Sequence, residues 1–333
     1  MDLSLLGWTD ERAAQLPPGL HAARVSQEHK GGYVVIAAAG ELQASMRKKL
    51  RDDPPAVGDW VGVSESGAIE AVLPRTSAFA RKVAGDETRA QVAAANVDFV
   101  FLCAAVGGDF SPRRLERYAA LAWQSGATPV VLLTKADLAA DLAADLDLAQ
   151  AAVPGADALA VSVEDGFGAV AAYAAGGRTL ALLGSSGVGK STIVNALLGA
   201  EAQAVSEVRA GDDKGRHTTS SRELFPLAGG GCIIDTPGMR ELQLWDADLV
   251  KAFPEIAELA RSCRFGDCTH DHEPGCAVRD AVDPARLASW LKLVSELDIL
   301  EVRRTAAGRV ERKAADRIGS KALRSRLRDK GRR

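Results

Sequence analysis

The stretch from Gly184 to Thr192 constrains the fold of this chain more than any other feature. It reads GSSGVGKST, follows the apolar run TLALL and leads into STIVNALLG, which has the composition of a helix. The spacing G-x-x-x-x-G-K-[ST] between a strand and a helix is typical of a phosphate-binding loop. Glycines allow successive backbone N–H groups to turn inward around phosphate oxygens. The sequence therefore predicts an α/β domain that binds a nucleoside triphosphate.

Every residue of this loop is expected to contact the nucleotide, and two of them have specific roles. Lys190 is expected to reach the β and γ phosphates, and Ser191 offers a hydroxyl to Mg²⁺. The predicted nucleotide-binding residues of the loop are Gly184, Ser185, Ser186, Gly187, Val188, Gly189, Lys190, Ser191 and Thr192.

The surrounding sequence from about residue 97 alternates continuous apolar runs with stretches of helical character. This alternation predicts a parallel sheet covered on both faces, which binds ligands at the carboxyl ends of its strands. One helix is predicted to start at Ser111-Pro112, with the serine as the cap and the proline in the first turn, and to stop at a glycine.

Two further motifs lie at predicted strand ends. The first indicates guanine rather than adenine, and the second is typical of a GTPase phosphate site. In Thr134-Lys135-Ala136-Asp137, the carboxylate can accept two hydrogen bonds from the N1–H and N2–H₂ edge of guanine, and adenine offers no such pair. In DTPG, Asp235 can hold Mg²⁺ through water and the N–H of Gly238 can sense the γ-phosphate. Each motif alone also fits an ordinary strand-end turn.

Two other segments could complete the site. Ser162-Val163 follows the apolar run ALAV, so it could supply a backbone N–H to guanine O6, although serine is common at strand ends. Residues 206–221 are polar and lack apolar periodicity, as expected for a loop. Thr218 or Thr219 in that loop could close onto Mg²⁺.

A cluster of cysteine and histidine predicts a metal site. Cys263, Cys268, His270 and Cys276 offer four ligands of the number and type that a closed tetrahedral Zn²⁺ site needs. His272 could replace His270, and a catalytic thiol or unrelated buried cysteines are the alternatives. The other two cysteines, Cys103 and Cys232, lie in apolar runs and are predicted to be core residues.

The two ends of the chain differ in character. Residues 21–84 contain short apolar stretches separated by Gly, Pro and charged turns, which predicts a small β-barrel. The segment Arg303–Arg333 contains 13 Lys or Arg against 3 Asp or Glu, within a chain of net charge −3. Such a basic segment favours a polyanionic partner, with a solvated helix as the alternative.

Composition narrows the class of protein. The 47% hydrophobic content is ordinary for a globular chain, and no membrane span or periodic dimer pattern is present in the sequence. The first basic residue is Arg12, which fits neither a secretory signal nor a transit peptide. We expect a cytoplasmic monomer.

The motifs TKAD, GSSGVGKST, GRHTT and DTPG, together with the Cys/His cluster, resemble the circularly permuted ribosome small-subunit-dependent GTPases, the RsgA/YjeQ family. In ordinary GTPases the base-reading motif follows the phosphate loop, whereas here Asp137 precedes Gly184. A site assembled from loops in space tolerates such a permutation when the original termini lay close together.

The resemblance implies a GTPase with an amino-terminal OB-fold and a carboxyl-terminal helical zinc-binding domain. Its boundaries are predicted at 1–85 for the RNA-binding barrel, 86–247 for the permuted GTPase domain, and 248–333 for the zinc-binding domain with its basic tail. The resemblance also selects His270 as the fourth zinc ligand. It further implies binding of GTP and GDP with Mg²⁺, and a role in late maturation of the small ribosomal subunit, whose rRNA is contacted and which stimulates hydrolysis.

The sequence leaves the hydrolysis step open. Met239 follows DTPG, where a water-orienting glutamine stands in Ras-like GTPases, and a thioether cannot orient water. His217 is the predicted catalytic residue in cis, because its imidazole could position the water. The alternative is that His217 only packs the closed loop.

Two other functions compete with the GTPase. One is a nucleotide-gated RNA-binding module whose hydrolysis is incidental. The other is a P-loop ATPase, which conflicts with Asp137.

Overall fold

A computed structural model describes residues 1–29, 31–83, 86–107, 110–199, 222–235, 244 and 249–304. The first five strands form a barrel: β1 (His21–His29), β2 (Gly32–Ala37), β3 (Gly40–Met46), β4 (Trp60–Val63) and β5 (Ala68–Val72). Neighbouring strands are antiparallel except β3 and β5, and pairing of β1 with β4 closes the ring. The interior is filled by fully buried Val25, Val35, Val61 and Ile69. The predicted OB-fold, a five-stranded Greek-key barrel, is confirmed.

Short helical elements precede and interrupt the barrel. They are a 3₁₀ turn at Leu3–Leu6, helix α1 (Asp10–Gln15) and a second 3₁₀ turn at Lys48–Leu50.

A hairpin of β6 (Ala78–Val83) and β7 (Asp86–Ala95) connects the barrel to the α/β region. The predicted domain boundary at residue 85 falls between these two paired strands. The second predicted boundary, at residue 247, lies outside the described residues. Both boundaries remain predictions.

The α/β region continues the barrel sheet. Its strands are β8 (Phe99–Ala105), β9 (Thr128–Thr134), β10 (Asp157–Val161), β11 (Thr179–Gly184), β12 (Glu223–Pro226) and β13 (Cys232–Asp235). Its helices are α2 (Pro112–Ser125), α3 (Leu142–Ala152), α4 (Gly168–Ala172) and α5 (190–199). The spatial order is β10-β9-β8-β11-β13-β12, and all neighbours are parallel except β12 and β13.

Burial along the central strands confirms the predicted two-faced parallel sheet. Every residue of β11 is buried, and β8 and β9 bury all but their first residue. The two cysteines that the sequence placed in the core, Cys103 and Cys232, are at most 1% exposed. The carboxyl ends of β9, β10, β11 and β13 lie at the same edge of the sheet, because these strands are parallel.

Helix α2 begins and ends where the sequence predicts, with one exception. Pro112 occupies the first turn, and Gly126 ends the helix with a φ of 90°, in the left-handed region. The predicted side-chain cap is wrong: Ser111 is the N-cap residue, but its hydroxyl makes no capping hydrogen bond. Proline alone already supplies the helical φ and removes one of the N–H groups that a cap would satisfy.

The barrel and the α/β sheet share a buried junction. Strand β1 pairs antiparallel with β12, where Gln27 lies opposite Glu223. Next to this pairing, Arg24 is only 1% exposed and donates to the carbonyl oxygen of Gly58 at 3.3 Å and to Thr179 Oγ1 at 2.6 Å. A buried guanidinium needs such partners to offset its desolvation. The two regions therefore depend on each other's polar groups.

The carboxyl-terminal helices are α6 (Leu249–Ala252), α7 (Pro254–Ala260), α8 (Ala277–Ala281) and α9 (Pro284–Arg304). They pack on α2 through ion pairs. Arg286 Nη1 lies 3.0 Å from Glu116 Oε1, and Arg117 Nη2 donates to Glu296 Oε1 at 2.9 Å. As predicted, the described part of this region is mainly helical and is interrupted at residues 261–276, which carry the Cys/His cluster.

Among the helices that the structure describes, none combines the length and apolarity required of a membrane span.

Candidate functional site

The phosphate loop leaves the end of β11 and enters α5. Gly187 and Gly189 have φ angles of 78° and 97°, a region that residues with a Cβ rarely adopt. At Gly184 the constraint is space, because a Cβ would lie 2.6 Å from the carbonyl oxygen of Cys103 on β8. The loop conformation therefore depends on glycine for two different reasons.

Lys190 lies across the loop. Its Nζ donates to the carbonyl oxygens of Gly184 at 2.9 Å and Ser185 at 2.6 Å. The ammonium group is therefore held against the backbone at the start of the loop. Beneath the loop, burial raises the pKa of Cys103 to about 12, while Lys190 acts in the opposite direction. Cys103 is thus a neutral core thiol.

The TKAD segment meets the phosphate loop at the end of β9. Thr134 is buried, and its Oγ1 donates to the carbonyl oxygen of Val188 at 2.6 Å. Lys135 has a φ of 57° and starts a 3₁₀ turn, Ala136–Leu138. This turn directs the chain outward, and both Lys135 and Asp137 are exposed. The carboxylate of Asp137 is accessible to a ligand beside the loop.

Ser162 and Val163 follow β10, which is the neighbour of β9. The Ser162 hydroxyl donates to Asp165 Oδ2 at 2.6 Å and accepts from the Asp165 N–H at 3.0 Å. The side chain therefore closes a turn. Val163 is 72% exposed, and the predicted contact of its backbone N–H with guanine remains a prediction.

Asp235 ends β13, the parallel neighbour of β11 on the side away from β8. The side chain of Asp235 is partly accessible. Partial burial raises the pKa of its carboxyl group, and the positive charge of Lys190 acts to lower it. The structure thus brings Asp235 within electrostatic reach of the loop lysine. The other predicted residues of this part of the site, Gly238, His217, Thr218, Thr219 and Met239, lie outside the described residues.

Sequence reasoning missed one contact to the loop. Arg114, in the first turn of α2, donates from Nη1 to Ser185 Oγ at 3.0 Å. A second cation besides Lys190 therefore lies beside Ser185. Arg114 belongs to none of the motifs in the sequence. The pair Arg113-Arg114 directly after Ser111-Pro112 is the only pattern that could have suggested a cation at this position.

The four predicted metal ligands lie together between α7 and α8. The ligand atoms of Cys263, Cys268, His270 and Cys276 are all within 4.8 Å of one another. His270 Nδ1 lies 3.5 Å from Cys263 Sγ and 3.4 Å from Cys276 Sγ. By contrast, the side chain of His272 is 84% exposed and lies next to Asp271. The cluster can hold a metal ion, and the geometry favours His270.

The turn that carries His270 is fixed by a carboxylate. Glu273 Oε1 accepts from the Thr269 hydroxyl at 2.5 Å and from its N–H at 2.9 Å. Oε2 accepts from the His272 N–H at 3.2 Å. The bonds from Thr269 lower the pKa of Glu273 to about 2. His270 itself has a φ of 65°, which this turn stabilises.

The N-terminus of α8 supports the cysteine ligands. Cys276 is its N-cap residue, and Sγ accepts from the Arg279 N–H at 3.3 Å. Burial acts to raise the pKa of Cys263, but hydrogen bonds from the backbone N–H groups of Val278 and Ala277, together with those from Cys268 and Cys276, lower it overall. These donors favour the thiolate, which is the form that binds metal.

Comparison with known proteins gives consistent matches over most of the chain. The RsgA GTPase family matches residues 72–245. The small ribosomal subunit biogenesis GTPase RsgA 2 of Lactiplantibacillus plantarum is 47% identical over 291 residues, covering 82% of each protein. The small ribosomal subunit biogenesis GTPase RsgA of Streptomyces coelicolor is 43% identical over 340 residues, covering 96% of this chain and 93% of the relative.

Solved structures match as well. YjeQ from Thermotoga maritima aligns with a TM-score of 0.61 at 25% identity, covering 83% of this chain and 98% of that one. YloQ, described as a circularly permuted GTPase, aligns with a TM-score of 0.59 at 25% identity, covering 84% and 95%. The predicted permuted GTPase fold is therefore confirmed, and the chain belongs to the RsgA GTPase family.

Proposed function

We propose that this chain hydrolyses GTP in the late maturation of the small ribosomal subunit, and that the subunit stimulates hydrolysis. The observation that carries the proposal is the meeting of the phosphate loop with the TKAD turn, linked by the hydrogen bond from Thr134 to Val188. This link supports a site in which Asp137 reads guanine beside the phosphates held by the loop. The names of relatives at 43% and 47% identity supply the subunit as partner.

In this proposal the loop from Gly184 to Thr192 binds the phosphates and Asp137 reads guanine. Mg²⁺ would be held by Ser191, by Thr218 or Thr219, and through water by Asp235. Held by these residues, Mg²⁺ would supply positive charge that offsets the negative charge developing on the phosphates. The influence of Lys190 on the pKa of Asp235 supports this role, because it indicates that the carboxylate and the loop lysine lie in the same site.

Hydrolysis requires a group that positions water, and Met239 cannot do so. We assign this role to His217, with the Gly238 N–H sensing the γ-phosphate. Stimulation by the subunit is expected if the subunit adds a group that stabilises the transition state, as partners of other GTPases do.

For the Cys/His cluster we propose one structural Zn²⁺. Tetrahedral zinc with sulfur ligands at about 2.3 Å and nitrogen ligands at about 2.0 Å places sulfur and nitrogen about 3.5 Å apart. The observed separations of 3.4 and 3.5 Å from His270 Nδ1 fit that geometry. With four protein ligands, the site is closed and has no position for a substrate.

The same proposal implies a cytoplasmic monomer that contacts rRNA. In the barrel, the cationic groups of Arg47 and Lys49 lie 3.0 and 3.7 Å from the carboxylate of Glu70. This carboxylate offsets part of the positive charge that the barrel could offer to RNA. The basic segment from Arg303 to Arg333 has the larger excess of charge. We therefore assign more of the RNA affinity to the carboxyl-terminal region than to the barrel.

The test is GTP turnover by the full chain, alone and with purified small or large ribosomal subunits. We expect stimulation of at least about tenfold by small subunits and little by large ones. An excess of ATP should not compete, since Asp137 reads guanine.

Two results would contradict the proposal. Equal turnover with and without small subunits, combined with GTP-dependent subunit binding, would favour a nucleotide-gated RNA-binding module. Effective competition by ATP would instead favour the P-loop ATPase.

A further inference from the structure

A surface cavity of about 370 Å³ lies between α2 and α9, and the described residues that line it belong to neither the phosphate loop nor the Cys/His cluster. Helix α2 contributes Arg113 and Arg117, which are one turn apart on the same face. Helix α9 contributes Ser289, Lys292 and Glu296, which also share a face. The cavity thus has three cations and one anion around it.

One of these cations is already neutralised. Arg117 and Glu296 form a two-point ion pair across the helices, with Nη2 and Oε1 at 2.9 Å. Within the described part of the chain, neither Arg113 nor Lys292 forms an ion pair. The cavity therefore has a local excess of two positive charges, one from each helix.

The geometry suits a phosphate group. The Arg117–Glu296 pair fixes the spacing of the two helices, and Ser289, only 8% exposed, adds a hydroxyl to the wall. A guanidinium offers a planar pair of donors, an ammonium offers a compact charge, and a hydroxyl donates a third hydrogen bond. Together these are the groups that bind phosphate oxygens at nucleic-acid interfaces.

We propose that this cavity binds the phosphodiester backbone of RNA, an inference that rests on the proposed ribosomal function. Two observations favour RNA over an acidic protein. Helix α9 is followed in sequence by a strongly basic segment, since Arg303–Arg333 contains 13 Lys or Arg against 3 Asp or Glu, with Glu296, Asp298 and Glu301 lying between Lys292 and that segment. In addition, the described residues that line the cavity include no aromatic side chain, whereas the buried centres of protein interfaces are rich in aromatic residues.

The test uses the full chain carrying Arg113→Ala and Lys292→Ala together. Binding to purified small subunits is measured with a non-hydrolysable GTP analogue over a range of KCl concentrations, and again with protein-free small-subunit rRNA. We expect affinity at low salt to fall about tenfold. The slope of log K against log salt should decrease by about 1.4 to 1.8, because two phosphate contacts are lost. GTP turnover without subunits should be unchanged.

A matched control removes two exposed cations elsewhere in the carboxyl-terminal region, through Lys251→Ala and Arg261→Ala. A similar loss in this control would show a general charge effect and overturn the proposal, as would an unchanged salt slope in the cavity variant. A loss with subunits but none with protein-free rRNA would indicate a protein contact and also overturn it. If the unaltered chain does not bind subunits at all, the proposed function fails, while the rRNA measurement still tests the cavity.

Discussion

The nucleotide site and the Cys/His cluster are constructed in opposite ways. The first collects residues from position 134 to position 235 and brings them together at one edge of the sheet. The second takes four ligands from the 14 residues between Cys263 and Cys276. A site made of strand ends depends on topology, whereas a local cluster depends on the order of residues in the chain.

This difference explains how the chain tolerates permutation. The parallel order β10-β9-β8-β11-β13 brings the same edge together whichever strand comes first. No such freedom exists for the cluster, whose turns at Glu273 and at the N-terminus of α8 are fixed by neighbours in sequence. The two sites should therefore fail independently, and the following variants test that expectation.

The largest effect is expected from His270→Ala. Structural zinc sites contribute on the order of 10 kcal/mol to the folding of small domains, so metal loss should unfold the region around the cluster. Metal content by mass spectrometry should fall to near zero, and amide exchange in residues 254–281 should rise. GDP affinity should change by less than about threefold, since the nucleotide site lies on separate elements.

His272→Ala is the matched control, because that side chain is exposed and lies outside the cluster. It should keep its metal. Equal metal loss in both variants would refute the assignment of His270, and a large loss of GDP affinity in His270→Ala would refute the independence of the two sites.

Lys190→Ala tests whether damage to the nucleotide site leaves the Cys/His cluster intact. If Lys190 binds the β and γ phosphates as proposed, removing its charge should lower kcat/KM for GTP by about 10³-fold, or about 4 kcal/mol. Metal content should remain that of the unaltered chain. Steady-state turnover and mass spectrometry measure both quantities, with the exposed Lys251→Ala as control. Turnover within tenfold of the unaltered chain would argue against the loop as the phosphate site.

Asp137→Asn should change base specificity. An amide cannot accept both hydrogen bonds from guanine, so GTP affinity should fall about a hundredfold, while the amide N–H₂ can donate to the 2-carbonyl of xanthine. Competition between GTP and xanthosine triphosphate measures the switch. Asp147→Asn, an exposed change on α3, should leave GTP affinity as it was. Unaltered preference for GTP in the first variant would remove Asp137 from base recognition.

Sequence reasoning succeeded where the signal is local or repeats along a strand. GSSGVGKST, the buried runs of β8, β9 and β11, and the four ligands of the cluster could all be recognised without a structure. Residue physics alone could not choose between His270 and His272, because both spacings satisfy zinc. In the structure, the backbone turn at Glu273 brings His270, and not His272, to the three cysteines.

Other features could not be found because their partners are distant in sequence. Arg24 is buried by contacts to Gly58 and Thr179, and no local pattern shows that an arginine in a barrel strand reaches a strand of the α/β region. Likewise, Arg114 meets Ser185 only because α2 packs beside the loop. The Ser111 cap was a local prediction, and it failed because proline already satisfies the helix start.

The smallest expected effect comes from Thr134→Val, which tests whether the strand-end site depends on a single link. The Thr134 hydroxyl holds the TKAD turn to the phosphate loop through its bond to the Val188 carbonyl. Loss of one buried hydrogen bond costs about 1 kcal/mol, so GDP affinity should fall about fivefold by calorimetry. Thr134→Ser keeps the hydroxyl and should retain most of the affinity. If serine and valine weaken binding equally, packing of the threonine methyl group, rather than the hydrogen bond, joins the two motifs.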